Sequence, residues 1–489
     1  MKIAFISSEV YPFSKTGGLA DVAGALPVEL AKNSNEVKVF TPKYSSIDNE
    51  KYSLSELKEL RGTTVLINDN IFKINVYSAK IPNSSVSAYF IDYPPFYSRE
   101  KLYTTDKDED LRFILFQKSV LEIIKILDWS PDIFHVNDWQ TALIPYYLKH
   151  IYSSEKLFTK SVSLLTIHNI GYQGLFPEST ITNAGIEKKL FHPTGPAEFY
   201  GQVSFLKMGI VFADLISTVS ETYAKELLTD ELSGGLKDIL KSREKDLFGI
   251  INGVDYTIWN PETDKLIPVN YSINSLDKKE ENKIALASEF GIKYNKNIPI
   301  IGIVSRLVSQ KGIDLFFDLF DELIGMDAQF VILGSGEEKY ETFFKKLEYF
   351  SSGNIKTHIG YNNDLAHLIE AGADIFLMPS LYEPCGLNQI YSLKYGTVPV
   401  VRETGGLADT VLDWDKTVRN GKLNGTGFSF KEFTSDDMLV ALLRALKYFE
   451  KKSTWRIIQK NGMKRDYSWA KSAIKYINLY NYGVKNKLD

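Results

Sequence analysis

Short, almost unbroken apolar runs alternate along this chain with longer segments whose apolar residues recur every three to four positions. In the first half the runs fall at residues 2–7, 37–42, 86–91, 133–136, 162–167 and 215–219. A strand covered on both faces loses the in–out alternation of a half-exposed one, so these runs predict strands of a buried, parallel sheet. Segments 111–127 and 220–228 carry the helical spacing between them. A second series follows, with strands predicted at 298–304, 329–333, 356–360, 375–379 and 398–401 and helices at 315–323, 339–350 and 364–372. Strand–helix alternation with right-handed crossovers predicts the α/β class, with two Rossmann-like, doubly wound parallel-sheet domains.

Length agrees with two domains. The chain has 489 residues, and a single core stops growing near ~250–300. The second series begins after Asn252-Gly253-Val254-Asp255, which gives domains of 1–254 and 255–465 and a tail of 466–489. Residues 261–282, rich in Asp, Lys, Asn and Ser, read as a surface connection just inside the second domain. The tail carries Trp469, Ile474, Tyr476, Ile477, Leu479 and Tyr480, which need a surface to bury against.

Composition excludes several classes. Hydrophobic content of 44% and charged content of 24% are ordinary for a water-soluble globular chain. A net charge of -4 leaves no basic footprint for nucleic acid. The single cysteine, Cys385, rules out an internal disulfide framework and suits a reducing compartment. The apolar run after Lys2 ends at Ser7-Ser8-Glu9, short of the roughly 7–15 residues of a secretory segment. No run approaches the roughly 20 of a membrane span. The expectation is a cytoplasmic protein with no membrane or nucleic-acid partner.

Ligands of open α/β sheets bind at the carboxyl ends of strands. The polar residues predicted there are the candidates. After the first strand comes Lys15-Thr16-Gly17-Gly18-Leu19-Ala20-Asp21, a glycine turn before a helix expected at 23–32. Glycines let a backbone approach a ligand closely, and a helix start offers unpaired N–H groups. The turn reads as a phosphate site with Lys15 as its cation, or as a surface turn with a solvated lysine. The same hexapeptide, TGGLAD, recurs at 404–409, so Thr404, Gly405 and Gly406 could form a second anion-receptive turn, or simply another glycine-using βα turn. Arg306 and Lys311 flank a turn before a helix, which suits a diphosphate, although two solvated bases are the plainer reading. Glu383 follows the strand at 375–379 and is either a helix-cap carboxylate or a group facing a sugar. Cys385, Gly386 and Leu387 open the next helix. Cys385 has no neighbouring base in sequence, so a packing or contact role is favoured over a nucleophile. His168-Asn169, before Gly171-Tyr172-Gln173-Gly174, suggests a loop at a ligand, whereas His135 reads as structural. Asp138 follows the strand at 133–136. No His or Cys spacing suits a metal, and no cofactor is expected.

The order of these motifs resembles bacterial glycogen synthases and plant starch synthases, retaining glycosyltransferases of the GT-B fold. The similarity runs from Lys15-Thr16-Gly17-Gly18 through His168-Asn169, Asn252-Gly253-Val254-Asp255, Ser305-Arg306, Gln310-Lys311-Gly312 and Glu383-Pro384-Cys385-Gly386-Leu387 to Asp466-Tyr467-Ser468-Trp469. The resemblance implies an interdomain cleft and transfer of glucose from a nucleotide diphosphate sugar, ADP-glucose or UDP-glucose, to an α-1,4-glucan. It leans towards ADP-glucose. It implies Lys15 at the donor phosphates, with Arg306 and Lys311 neutralising the leaving diphosphate. Gly18 and Asp21 would line the glucose, His168 would contact the glucosyl group and stabilise developing charge, and Glu383 would bind glucose hydroxyls or stabilise the transition state. Tyr361 would stack on the base and Asn252 would lie near the domain junction. It further implies that the tail 466–489 crosses back to the first domain and that closure brings Lys15 towards Arg306 and Lys311. Three positions depart from the family: Gln140 stands where His is frequent, Asn388 where Thr is common, and Tyr391 where many retaining transferases carry a second glutamate.

Other classes lack their marks. Gly334-Ser335-Gly336 lacks the third glycine of a dinucleotide fingerprint, and no P-loop is present. Nothing marks a lysine for the pyridoxal cofactor of a glucan phosphorylase. A non-catalytic glucan-binding protein would be expected to have lost part of the set Lys15, Arg306, Lys311 and Glu383.

Overall fold

Strand β1 (Lys2–Ile6) has four buried residues in five, and β2 (Glu36–Pro42) pairs with it in parallel. The computed structural model describes residues Met1–Leu488. They divide into two compact units: Met1–Val219 with Ala224–Gly253 and Trp469 onward, and Ser220–Tyr223 with Val254–Ser468.

The first unit is built on a ten-stranded sheet. Beyond β1 and β2 its strands are β3 (Ser55–Glu56), β4 (Thr63–Ile67), β5 (Asn70–Lys80), β6 (Ser87–Asp92), β7 (Ile133–Asn137) and β8 (Val162–Ile167). A separate three-stranded sheet follows, made of β9 (Leu175–Phe176), β10 (Glu198–Phe199) and β11 (Gln202–Ser204). The main sheet closes with β12 (Leu215–Thr218) and β13 (Leu247–Gly249). Its order is β13-β12-β8-β7-β1-β2-β6-β5-β3, with β4 on β5. From β13 to β6 every pairing is parallel.

The purely parallel sheet expected from the sequence needs correction at one edge. β5 runs antiparallel to β6, and β3 and β4 run antiparallel to β5. Asn68 at φ +52 and Asp69 form the two-residue turn between β4 and β5. Along β4 burial alternates in and out, which is the pattern of a half-exposed strand rather than a covered one.

The helix Trp469–Leu488 packs in this unit against the helix Gly18–Lys32 and β8. His135 is enclosed there: one ring nitrogen lies 2.7 Å from Thr166 Oγ1 and the other 2.7 Å from Tyr480 OH, and the Tyr476 ring lies alongside. Burial holds its pKa well below the ordinary value. The helix after β1 begins at Gly18, five residues before the expected start, with Gly17 as its extended N-cap and Gly18 to Asp21 as its first turn.

The second unit has six strands, all parallel: β14 (Ile300–Val304), β15 (Gln329–Gly334), β16 (Ile355–Ile359), β17 (Ile375–Met378), β18 (Val398–Arg402) and β19 (Phe428–Phe430). Their order is β16-β15-β14-β17-β18-β19. The apolar runs of β14, β15 and β17 are buried on both faces, as their sequences require.

Residues 261–282 lie within the second unit and expose Glu262, Lys265, Asn274 and Lys278, but the stretch is also anchored by buried side chains. Ile267, Tyr271 and Leu276 are buried with Tyr395, and two polar residues flanking them are buried and paired. Asp264 accepts from Tyr395 OH at 2.6 Å and lies 2.7 Å from His367 Nδ1. Lys279 Nζ donates to Ala371 O and Thr397 Oγ1, both at 2.7 Å. Polar groups that find partners, as Asp264 and Lys279 do, can be buried, and composition alone does not reveal the partners.

Candidate active site

Both sheets wind outward in two directions from a central pair, β1 and β7 in the first unit and β14 and β17 in the second. Where the winding reverses, connections leave in opposite directions and open a crevice at the carboxyl ends. The candidate residues cluster at these two places.

In the second unit, the loop after β14 carries Arg306 and Lys311, and the loop after β17 carries Glu383. Lys311 Nζ lies 2.6 Å from Glu383 Oε2, and Ser380 Oγ donates to the same oxygen at 3.0 Å. The loops are joined by their backbones, with Leu381 N donating to Gln310 O at 2.9 Å. Gly312 lets them meet. Its φ is +73°, and a Cβ there would lie 2.0 Å from Pro379 O. Asn388 opens the helix Asn388–Tyr395 and donates its amide to Val304 O at 2.7 Å, fastening that helix to the end of β14. Arg306 is exposed, with one long contact to Gln310 Oε1 at 3.5 Å. The cationic head of Arg306 therefore remains open to solvent beside a paired Lys311 and Glu383.

The two TGGLAD turns use their glycines differently. A Cβ on Gly405 would lie 2.0 Å from Glu383 O, and one on Gly406 would lie 1.9 Å from Cys385 O. Gly406 N donates to Glu383 O at 3.1 Å. This turn clamps the backbone of Glu383-Pro384-Cys385, and that close approach requires glycine at both positions. Thr404 and Cys385 are buried beside it, and Gly386 and Leu387 lead into the next helix. A Cβ on Gly17 or Gly18 would meet nothing within 4 Å. The first pair therefore faces open space.

In the first unit, Lys15 Nζ lies 2.7 Å from Asp21 Oδ1 and 5.5 Å from the centre of the Tyr11 ring. Burial pushes the Asp21 carboxyl up, against the pull of Lys15. The N–H groups of Thr16 and Gly17 are already taken. Both donate to the carboxylate of Glu9, the latter at 3.3 Å. Sequence reading took Glu9 only as part of the stretch that ends the first apolar run and did not single out its partner Tyr103.

Asp138 stands just past β7 with φ +56°, an uncommon backbone state for any residue but glycine. Its Oδ1 accepts the backbone N–H of His168 at 2.7 Å, and burial lifts its pKa to about 7. His168 Nε2 lies 2.9 Å from Asn137 Oδ1, while the Asn137 amide donates to Ile6 O at 2.9 Å. With the amide fixed by that second bond, His168 must donate through Nε2, which leaves Nδ1 as an acceptor. Burial lowers its pKa to about 3, so the imidazole is neutral. It offers hydrogen bonding and not a full positive charge. Asn169 Oδ1 accepts from Gly171 N at 2.9 Å, shaping the loop that follows.

Two expected residues lie away from these groups within their own units. Tyr361 follows β16, two strands from β14, and is 88% exposed. Asn252 follows the edge strand β13 and is buried, with its side-chain oxygen unpaired among the described residues. Tyr391 fills the place of a second carboxylate with an aromatic ring. It stacks on Trp259 at 4.0 Å, and Trp259 stacks on His367 at 3.7 Å.

Two Rossmann-like sheets in successive units, each with polar residues at its winding reversal, are the architecture of GT-B glycosyltransferases. Residues 2–242 match the family described as starch synthase catalytic domain, and residues 287–462 match glycosyl transferases group 1. The chain is 45% identical to the glycogen synthase of Thermosipho melanesiensis over all of both chains. It is 45% identical to that of Thermotoga maritima over 98% of each. Its structure is similar to the catalytic domain of starch synthase IV from Arabidopsis thaliana bound to ADP and acarbose, with a TM-score of 0.90 and 30% identity over 99% of each chain. The chain belongs to the glycogen and starch synthase family, glycosyltransferases of glycogen and starch synthesis. No helix among the described residues is long and apolar enough to cross a membrane.

Proposed function

We propose that this chain transfers glucose from ADP-glucose to the 4-hydroxyl at the non-reducing end of an α-1,4-glucan, with retention of configuration. The observation that carries this reading is the contact of Lys311 with Glu383 where the second sheet reverses its winding. A glycosyl–phosphate bond breaks with positive charge on the sugar and negative charge on the leaving diphosphate. A fixed cation and a fixed carboxylate side by side match those two charges. The ADP in the Arabidopsis structure favours an adenine donor over UDP-glucose.

In this reading residues 255–465 serve the nucleotide and residues 1–254 serve the glucosyl group and acceptor. Arg306 and Lys311 take the diphosphate. On donor binding Lys311 turns from Glu383 to the phosphates, and Glu383 is left to meet the glucose hydroxyls and the developing sugar cation. Cys385, Gly386 and Leu387, clamped by Gly405 and Gly406 beside Thr404, hold the Glu383 backbone in place. Tyr361, exposed on its loop, stacks on the base. Lys15 meets the donor phosphates, Gly17, Gly18 and Asp21 border the glucose, and His168 accepts a glucose hydroxyl at Nδ1. Asp138 and Asn169 hold the His168 loop, and Asn252 offers its unpaired oxygen to the substrate.

The test is glucose incorporation into glycogen from ADP-glucose and from UDP-glucose in parallel, with no metal added. Incorporation from ADP-glucose is the expected result. Incorporation from UDP-glucose alone would overturn the donor assignment. Incorporation from neither, by folded protein that still binds glycogen, would leave a glucan-binding module in place of an enzyme.

A further inference from the structure

The glycine turn after β1 has the form of an anion cradle, yet its occupant is part of the chain. Glu9 is 3% exposed. Its Oε2 accepts the N–H of Thr16 and the N–H of Gly17, and its Oε1 accepts Thr16 Oγ1–H and Tyr103 O–H, both at 2.6 Å. Ser8 Oγ lies 2.8 Å from the same Tyr103 oxygen. Four donors from two separate loops converge on one side chain, and an acceptor-only carboxylate suits them all. Such a group stands where a phosphate would stand in an ordinary glycine turn.

We propose that Glu9 is a positioning residue for glucosyl transfer, an internal anion that fills this cradle and thereby turns the face of Gly17 and Gly18 to a neutral sugar. The inference rests on the reading of the protein as a glucosyltransferase. Two consequences follow from the geometry. A donor phosphate is kept off the Thr16 and Gly17 amides, because they are occupied and because a second anion would be repelled. The glycine pair is also held rigidly, tied through Tyr103 to the loop after β6 and through Thr16 to the start of the helix Gly18–Lys32. Lys15, next in the chain, is held at the same edge, free to exchange Asp21 for a ligand.

Glu9→Ala tests this by emptying the cradle while leaving its four donors in place. Wild type and variant are assayed for glucose transfer from ADP-glucose, with and without formate, and with formamide as the neutral control. The expected result is a fall in kcat of about 100-fold, the scale of a misplaced binding group, with the KM for glycogen unchanged. Formate should restore at least tenfold of the loss, and formamide should not. Thermal unfolding gives a readout apart from activity: formate should raise the melting temperature of Glu9→Ala and not that of wild type. An inactive wild type would sink the glucosyltransferase reading, whereas the formate-dependent melting shift would still report the cradle. If the folded variant keeps wild-type kcat, or if formate neither restores activity nor raises its melting temperature, the proposal is overturned. Should Glu9→Ala not fold, the isosteric Glu9→Gln directs an NH2 group at the same donors. It must then show the same loss of kcat, and wild-type turnover would overturn the proposal equally.

Discussion

Lys311 Nζ lies 2.6 Å from Glu383 Oε2, although the two residues come from different loops, one after β14 and one after β17. The contact joins the two strands between which the second sheet reverses direction. The pair holds both charged groups at the reversal before substrate arrives, so that donor binding has only to swing the Lys311 head from Glu383 to the phosphates.

Removing either partner should affect chemistry more than folding. Lys311→Gln and Glu383→Gln are each expected to lower kcat by about 10²–10³, the range for a lost preorganised electrostatic group. Each should cost about 1–3 kcal/mol of stability, because the remaining polar group stays largely buried without its partner. In a double-variant cycle followed by urea unfolding, the two stability costs should overlap instead of adding. Full additivity would show that the contact carries no coupling.

The two TGGLAD turns should respond oppositely to alanine. Gly406→Ala drives a methyl group into Cys385 O and should destabilise by about 1–3 kcal/mol or more, seen as a lower melting temperature. Gly18→Ala meets open space and should melt within a degree or two of wild type, while raising the KM for ADP-glucose severalfold. Equal melting losses in both variants would contradict the contrast.

Asp138 and His168 predict opposing pH effects on stability. The folded pKa of Asp138 is about 7, above its ordinary 3.8. Between those values the folded state holds a proton that the unfolded state has lost, so stability falls as pH rises from about 4 to about 7. The folded pKa of His168 is about 3, below its ordinary 6.5. There the unfolded state holds the extra proton, so stability rises with pH from about 3 to about 6.5. Each slope is at most about 1.4 kcal/mol per pH unit. Near pH 5 they offset one another in the wild type. Relative to wild type, Asp138→Asn should therefore gain stability with rising pH across this range, and His168→Gln should lose it. Urea midpoints measured at pH 4.5, 5.5 and 6.5 would decide the matter.

Tyr391 fixes why a second carboxylate cannot be restored at its position. Tyr391→Glu would set a charge against Trp259 in a stack closed on its other face by His367 and Asp264. It should cost about 0.5–1.5 kcal/mol for the lost ring stack, with a further cost for the charge, and should not raise activity. A stable, faster variant would refute this account of the departure from other retaining transferases.

Much of the fold was legible because buried parallel strands are written as uninterrupted apolar runs. All six parallel strands from β1 to β12 were legible in this way, as were β14, β15, β17 and β18, whereas β16 carries Lys356, Thr357 and His358. What was missed has other signatures. β4 and β5 alternate or carry polar residues, and β19 has three residues. The candidate residues were legible as glycine turns, bases and carboxylates at strand ends. Their partners were not: Glu9 and Thr16 are seven positions apart, Glu9 and Tyr103 ninety-four, and Lys311 and Glu383 seventy-two.

The sequence by itself determined the α/β class, the two successive strand series, the ordered motifs of the family and which side chains could carry charge at the strand ends. Local periodicity and residue chemistry suffice for these, since each is a property of neighbours in the chain. Only the tertiary structure decided what each of those side chains meets. It gave the same six residues, TGGLAD, two physical roles, one facing open space and one clamped on the Glu383 backbone. It also filled an apparent phosphate cradle with Glu9. Such outcomes depend on contacts between distant segments, which strand order and close packing create and which no local pattern records.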